Sequence, residues 1–166
     1  MNVNYTIVKT EIAEVVFSHR KEENPCALCA KMRKGAFNQA AVDLGCNKIA
    51  YAHHKDDIID TLFLSLIFEG KYYSFSPFTH LDKMNIDLIR PLIYVPETEI
   101  LGFKNKYQLP VIKNPCPADG YTKREEMHEL IHSLQLKYPG VKERLFSSVE
   151  NGTIPDWINA LNRTVR

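Results

Sequence analysis

The sequence predicts an α/β domain built on a parallel, layered sheet. Two observations carry that expectation: short β-rich segments alternate with helical ones along the chain, and no repeat, low-complexity tract or linker interrupts the alternation. A third sets its size, since 166 residues at 45% hydrophobic composition supply one core and place residues 1–166 in a single domain.

Val3 to Lys9 reads as a strand, followed by a short helical stretch and a charged connector, Ser18 to Asn24, that ends at Pro25. From Leu28 through Met32, Ala36, Ala40 and Leu44 apolar residues recur every four positions, which predicts one buried helical face with Gly45 as its stop. Lys48 to Ala52 is a short strand, and Asp56 to Glu69 is a helix closed by Gly70. Two short strands, Pro77 to Leu81 and Ile86 to Arg90, flank a turn at 82–85. Pro96 opens a helix with Glu97 and Glu99 at its positive end and Ile100, Phe103 and Tyr107 on one face. Val111 to Lys113 is read as a last short strand. Thr122 with Glu125 forms a capping-box pattern for a helix burying Met127, Leu130, Ile131 and Leu134. Helices therefore run from about residue 121 to the C-terminus, with a break near Gly152 and Pro155.

Lysine plus arginine at 21 against 20 acidic residues gives a net charge of +1. Nucleic-acid binding would need locally clustered cations, because no general positive field exists. No stretch of eighteen apolar residues and no secretory pattern in Met1 to Lys9 is present, so the chain is expected in the cytoplasm with no membrane span.

Four cysteines in a reducing compartment point to metal or redox chemistry more than to disulfides. Cys26 and Cys29 flank the first turn of the helix that begins near Ala27, where free N–H groups and the helix dipole favour thiolates. Arg33 lies one turn beyond Cys29, and Cys116, in Asn114-Pro115-Cys116-Pro117, is the distant third thiol. Three cysteines with no histidine at zinc-finger spacing leave open an iron–sulfur cluster with one free iron, zinc, or plain thiols. Cys46, beside Gly45, reads as an ordinary semi-buried thiol.

His53-His54-Lys55-Asp56-Asp57 occupies the handover from a strand to a helix, the edge where open α/β sheets bind ligands. The aspartates can cap that helix, or, with a nucleotide present, the cluster can hold Mg²⁺, move a proton or orient a base. Thr61 follows one turn after Asp57. The seven glycines are isolated from one another, and none forms a phosphate-cradling loop after a strand.

Pro25-Cys26-x-x-Cys29 with Arg33-Lys34-Gly35, then His53-His54-Lys55-Asp56-Asp57-x-x-x-Thr61, Ile89-Arg90-Pro91-Leu92 with Glu99-Ile100, and Pro115-Cys116 resemble, in that order, the tRNA 2-thiocytidine biosynthesis family of PP-loop sulfurtransferases. The resemblance runs from about Val3 to Asn151. It implies a Rossmann-like fold of the adenine-nucleotide alpha-hydrolase type and an ATP- and Mg²⁺-dependent thiolation. In that reaction C2 of the cytidine at position 32 of the anticodon loop is adenylated, and sulfur then displaces AMP. It assigns Cys26, Cys29 and Cys116 to a [4Fe–4S] cluster, with zinc or oxidised thiols as the alternative in aerobic preparations.

The same resemblance puts Arg33, Asp56 and Asp57 in catalytic positions and His53, His54 and Arg90 at the nucleotide, Arg90 having a strand-end salt bridge as its structural alternative. Lys34, Lys71, Lys123 and Arg124, with Arg33, are then the basic rim for tRNA phosphates, and sulfide or a cysteine desulfurase supplies sulfur. That family opens on a strand and a Ser-Gly-Gly-x-Asp-Ser loop that this sequence does not contain. The domain is therefore expected to be N-terminally incomplete, associating with the missing segment or with further copies of itself. Two other classes compete: a non-catalytic metal- or cluster-binding module that docks a partner, and a structural zinc domain.

Overall fold

A computed structural model of the chain describes residues 4–20, 25–118 and 120–152. They separate into two compact units, Met1–Ile49 with Asp82–Ile86, and Ala50–Leu81 with Asp87–Arg166.

In the first unit, α1 (Ile12–Glu14) runs into a π-helical turn, Val15–Arg20, that buries Val16 completely. Then comes α2 (Pro25–Asp43), begun by a proline whose missing N–H costs nothing at a helix start. It stops as expected: Gly45 takes φ 72°, its N–H reaching the Val42 carbonyl and the Cys46 N–H the Ala41 carbonyl. That left-handed stop is natural for glycine. The apolar face differs from expectation. Leu28, Met32, Ala36 and Ala40 are half-buried, Leu44 is exposed, and the buried residue of α2 is Asn38. A strict four-residue repeat advances about 40° per step on a 3.6-residue helix, so these positions wind around α2 and do not line one side. Residues 4–10 form no strand; Tyr5, Ile7 and Val8 are exposed and pair with none of the described strands. Val3 and residues 21–24 of the connector lie outside the described residues.

Three strands, β1 (Lys48–Ala50), β2 (Phe78–Leu81) and β3 (Ile86–Ile89), form a mixed sheet in the order β1-β3-β2. β2 and β3 are the expected hairpin, with Asn85 at φ 48° in the turn. The Tyr51 N–H reaches the Ile89 carbonyl, and the Arg90 N–H the Pro77 carbonyl.

The second unit centres on α3 (Lys55–Leu64), which continues as a π-helical turn, Ser65–Glu69, and ends at Gly70 with φ 63°. Ile58, Ile59 and Leu62 of α3 bury themselves against Ile131 of α5 (Lys123–Lys137), Phe146 and Val149 of α6 (Val141–Glu150), and Ile93. Spacings of three and four on α3, and of three on α6, make this core. Ser74, fully buried, donates to the Ile58 carbonyl at 3.0 Å. Thr122 caps α5 by accepting the Glu125 N–H at 3.3 Å; Met127 and Ile131 are buried, Leu134 is half-buried and Leu130 is exposed.

Between them α4 (Glu97–Tyr107) starts after Pro96 as expected, but none of its residues is buried, and Phe103 and Tyr107 face solvent. Val111 to Lys113 form no strand, and Ile112 is 90% exposed. No neighbouring edge among the described strands takes their backbone groups. Residues 153–166, with the expected break at Pro155, lie outside the described residues. No helix among the described residues is long and apolar enough to cross a membrane.

Candidate functional site

The strand-to-helix handover after β1 collects the polar residues that the sequence singles out and several that it does not. His54 occupies the extended N-cap position of α3, and its N–H donates to Asp57 Oδ2 at 2.9 Å. Asp57 and His54 Nε2 lie 3.4 Å apart, while His54 Nδ1 is buried without a hydrogen-bond partner among the described residues.

The two aspartates have different surroundings. Asp56 points inward, where Oδ2 accepts the Glu97 N–H at 2.8 Å and Oδ1 lies 2.6 Å from Lys142 Nζ. It thereby ties the starts of α3 and α4 to α6. Burial pushes its carboxyl up, but the Glu97 N–H and the Lys142 ammonium more than reverse that, leaving it below the usual range. Asp57 stays half-exposed at the edge, 3.6 Å from Arg124 Nη1, and Arg124 also donates to Thr61 Oγ1 at 3.4 Å.

One turn further along α3 is a carboxyl the sequence reading missed. Asp60 is buried, and desolvation raises it to about 6 despite the opposing pull of His128 and Arg124. His128 Nδ1 is 3.4 Å from Asp60 and Nε2 is 3.7 Å from Glu97, so one imidazole bridges α3 and α4 from α5. The one-turn spacing of Arg124-x-x-x-His128 is the sequence signal that puts these two side chains on one face of α5.

Arg90, just past β3, is buried. Its Nε donates to His53 Nδ1 at 3.3 Å, its Nη1 to the Ser76 carbonyl, and its guanidinium lies 4.7 Å from the Phe75 ring centre. No acidic partner is found among the described residues, so the strand-end salt bridge gives way to a carbonyl, an imidazole and a ring. Burial first, and the Arg90 charge second, lower the His53 pKa. His53 is thus held neutral, its Nδ1 accepting and its Nε2 carrying the proton. Packed against Phe75 and edge-on to Tyr51, it is a fixed neutral donor at the sheet edge.

Cys26 and Cys29 sit on successive turns at the start of α2, and Arg33 is exposed one turn on; Lys34 is exposed beside it. Cys116 belongs to the second unit, where its N–H donates to Asn114 Oδ1 at 3.2 Å. All four thiols are free, and Cys46 is exposed, not semi-buried. Among the described residues no three His, Cys, Asp or Glu side chains stand grouped to hold a metal ion. The expected basic rim is largely neutralised locally: Lys71 is 3.9 Å from Glu69, Lys123 is 2.8 Å from Glu126, and Arg124 is engaged by Asp57.

Residues 2–134 match the PP-loop domain family. The chain belongs to that family. It is 34% identical over 153 residues to the tRNA-cytidine(32) 2-sulfurtransferase of Dechloromonas aromatica, covering 91% of this chain and 53% of the relative. It is 35% identical over 150 residues to the enzyme of the same name from Citrifermentans bemidjiense, covering 89% and 59%. The chain thus spans little more than half the length of these relatives. Among solved structures, the U34-tRNA thiolase NcsA from Methanococcus maripaludis with its [4Fe–4S] cluster superposes with a TM-score of 0.62 at 24% identity, over 81% of this chain and 45% of that one. At that identity the likeness establishes the α/β fold of the family and nothing finer.

Proposed function

We propose that this chain carries the cluster and tRNA side of an ATP-dependent tRNA-thiolating enzyme that makes 2-thiocytidine at position 32 through an adenylated tRNA. The observation that carries the reading is the identity of about one third with tRNA-cytidine(32) 2-sulfurtransferases over nine tenths of the chain. The polar edge after β1 supports it. His53, His54 and Asp57 gather where an open α/β sheet receives its ligand, and Arg90 fixes His53 there.

Cys26, Cys29 and Cys116 are the residues that would hold a [4Fe–4S] cluster. The donor set fits in its chemistry, being three free thiols, two of them one turn apart at a helix start where negative charge is favoured. Held by these three thiols, a cluster would supply a site for the sulfur that is transferred. Arg33, one turn beyond Cys29, polarises the adenylated oxygen as the base is attacked. Asp57, half-exposed at the edge, would help hold the nucleotide's Mg²⁺, and Asp56 holds the edge in place through Glu97 and Lys142. Sulfide or a cysteine desulfurase feeds the site, and the reaction takes place in the cytoplasm.

The test is nucleoside mass spectrometry of tRNA from cells lacking the gene and from cells complemented with it. Loss of 2-thiocytidine on deletion, restored by the wild-type gene but not by Asp57→Asn or Cys116→Ala, is the expected result. Unchanged 2-thiocytidine in the deletion strain would remove the function.

A further inference from the structure

Between Glu99 and Asp119 the sequence holds no acidic residue, yet it carries Lys104, Lys106 and Lys113. This is the second half of α4 and the loop after it. None of the ion pairs among the described residues engages these three lysines, in contrast to Lys71, Lys123 and Arg124. Interleaved with them are Phe103 and Tyr107, 57% and 55% exposed, whose ring centres lie 4.5 Å apart on one side of α4. Lys106 Nζ sits 5.4 Å above the Tyr107 ring, so cation and aromatic share that side.

The geometry points to this segment, Phe103 to Lys113, as the surface that receives the unpaired bases and phosphates of the RNA loop. The inference rests on the tRNA reading above and adds a binding surface to it. Exposed rings offer a stacking face to any unpaired base, and lysines between them meet the phosphates on either side. The run leads along the chain directly to Cys116. A membrane surface fits the pattern less well, because an interfacial helix segregates its lysines from its aromatic face, whereas here Lys106 lies on that face.

Fluorescence anisotropy of the full chain with an anticodon stem-loop RNA and with a blunt RNA duplex of equal length, over a salt series, tests this. Phe103→Ala with Tyr107→Ala should weaken loop binding at least about tenfold and leave duplex binding unchanged. Lys104→Ala with Lys106→Ala should weaken both and make the loop's salt slope shallower by about 1.4, and the corresponding lysine-to-arginine pair should restore both. Phe103, Lys106 and Tyr107 are exposed and Lys104 is half-buried, so circular dichroism melts of each variant are run alongside, and an unmoved melt separates lost binding from lost folding. Wild-type binding to the loop with both alanine pairs indistinguishable from it overturns this surface alone. Failure of the wild type to bind either RNA overturns the tRNA reading itself. Equal binding to anionic vesicles, lost in the same variants, would make the segment a membrane face and overturn the inference.

Discussion

Two carboxyls on α3, Asp56 and Asp60, show how far surroundings divide residues of one type. Asp56 is depressed by a backbone donor and an ammonium, so its contribution to stability is present above its unfolded value of 3.8 and is lost as pH falls through its lower folded value. Lys142→Ala would leave that carboxylate buried and half-paired, and is expected to cost about 3 kcal/mol. Urea denaturation at pH 7 measures it, and Lys142→Ala added to Asp56→Asn should cost much less. Asp60 has the opposite sign. The folded protein keeps a proton on it where the unfolded chain has lost one, so its contribution is largest in acid and declines as pH rises from 3.8 to about 6. Asp60→Asn keeps an acceptor for His128 and removes the buried charge. It should raise stability at pH 8 by roughly 1–3 kcal/mol and change little at pH 4; an equal effect at both pH values would mean that ionisation at Asp60 is not the cause. Neither Lys142 nor His128 was legible as a partner, because they stand 86 and 68 residues from the carboxyls they meet.

At the scale of elements, legibility followed whether a signal is local. Gly45 and Gly70 as stops, Pro96 as a start and Thr122 as a cap are properties of a few adjacent residues, and each lies where the sequence puts it. The β2–β3 turn is equally local. Residues 4–9 and 111–113 carry β-forming side chains, but a strand exists only against a partner's backbone, which no property of the segment supplies. The buried face expected of α2 failed for a related reason, since an apolar repeat states what can be buried and not whether anything covers it; on α4, Phe103 and Tyr107 do share a side, and that side is exposed. The cap on α5 is the directly testable case. Thr122→Ala removes the acceptor for the Glu125 N–H and should cost about 1 kcal/mol, whereas Thr122→Ser should be near neutral. Because α5 delivers Arg124 and His128 to α3 from its first two turns, fraying there should also speed amide exchange at Glu125 and Glu126, which hydrogen–deuterium exchange reads directly.

For the whole molecule, charge and thiols set what the chain can do by itself. With a net charge of +1 and no glycine-rich backbone cradle, the 166-residue chain has little to hold a triphosphate, while Asp57 repels one in the absence of Mg²⁺. Calorimetric titration of the isolated chain with ATP should show no micromolar binding; such affinity would reveal a phosphate site made by other residues. The thiols give the sharper test. Four free cysteines are present; Cys26, Cys29 and Cys116 are the proposed ligands, and Cys46, exposed after α2, is not among them. If three thiolates share one cluster, anaerobic reconstitution should load about four irons per chain, with visible absorbance. Substituting any one of the three by alanine should then abolish most of both, because the remaining two ligands cannot hold a cubane against chelators. Cys46→Ala must keep both, which distinguishes ligation from non-specific iron on exposed thiols. Iron retained in Cys116→Ala, or stoichiometric zinc in place of iron, would show that the cysteine pair on α2 binds its metal without the loop that follows α4.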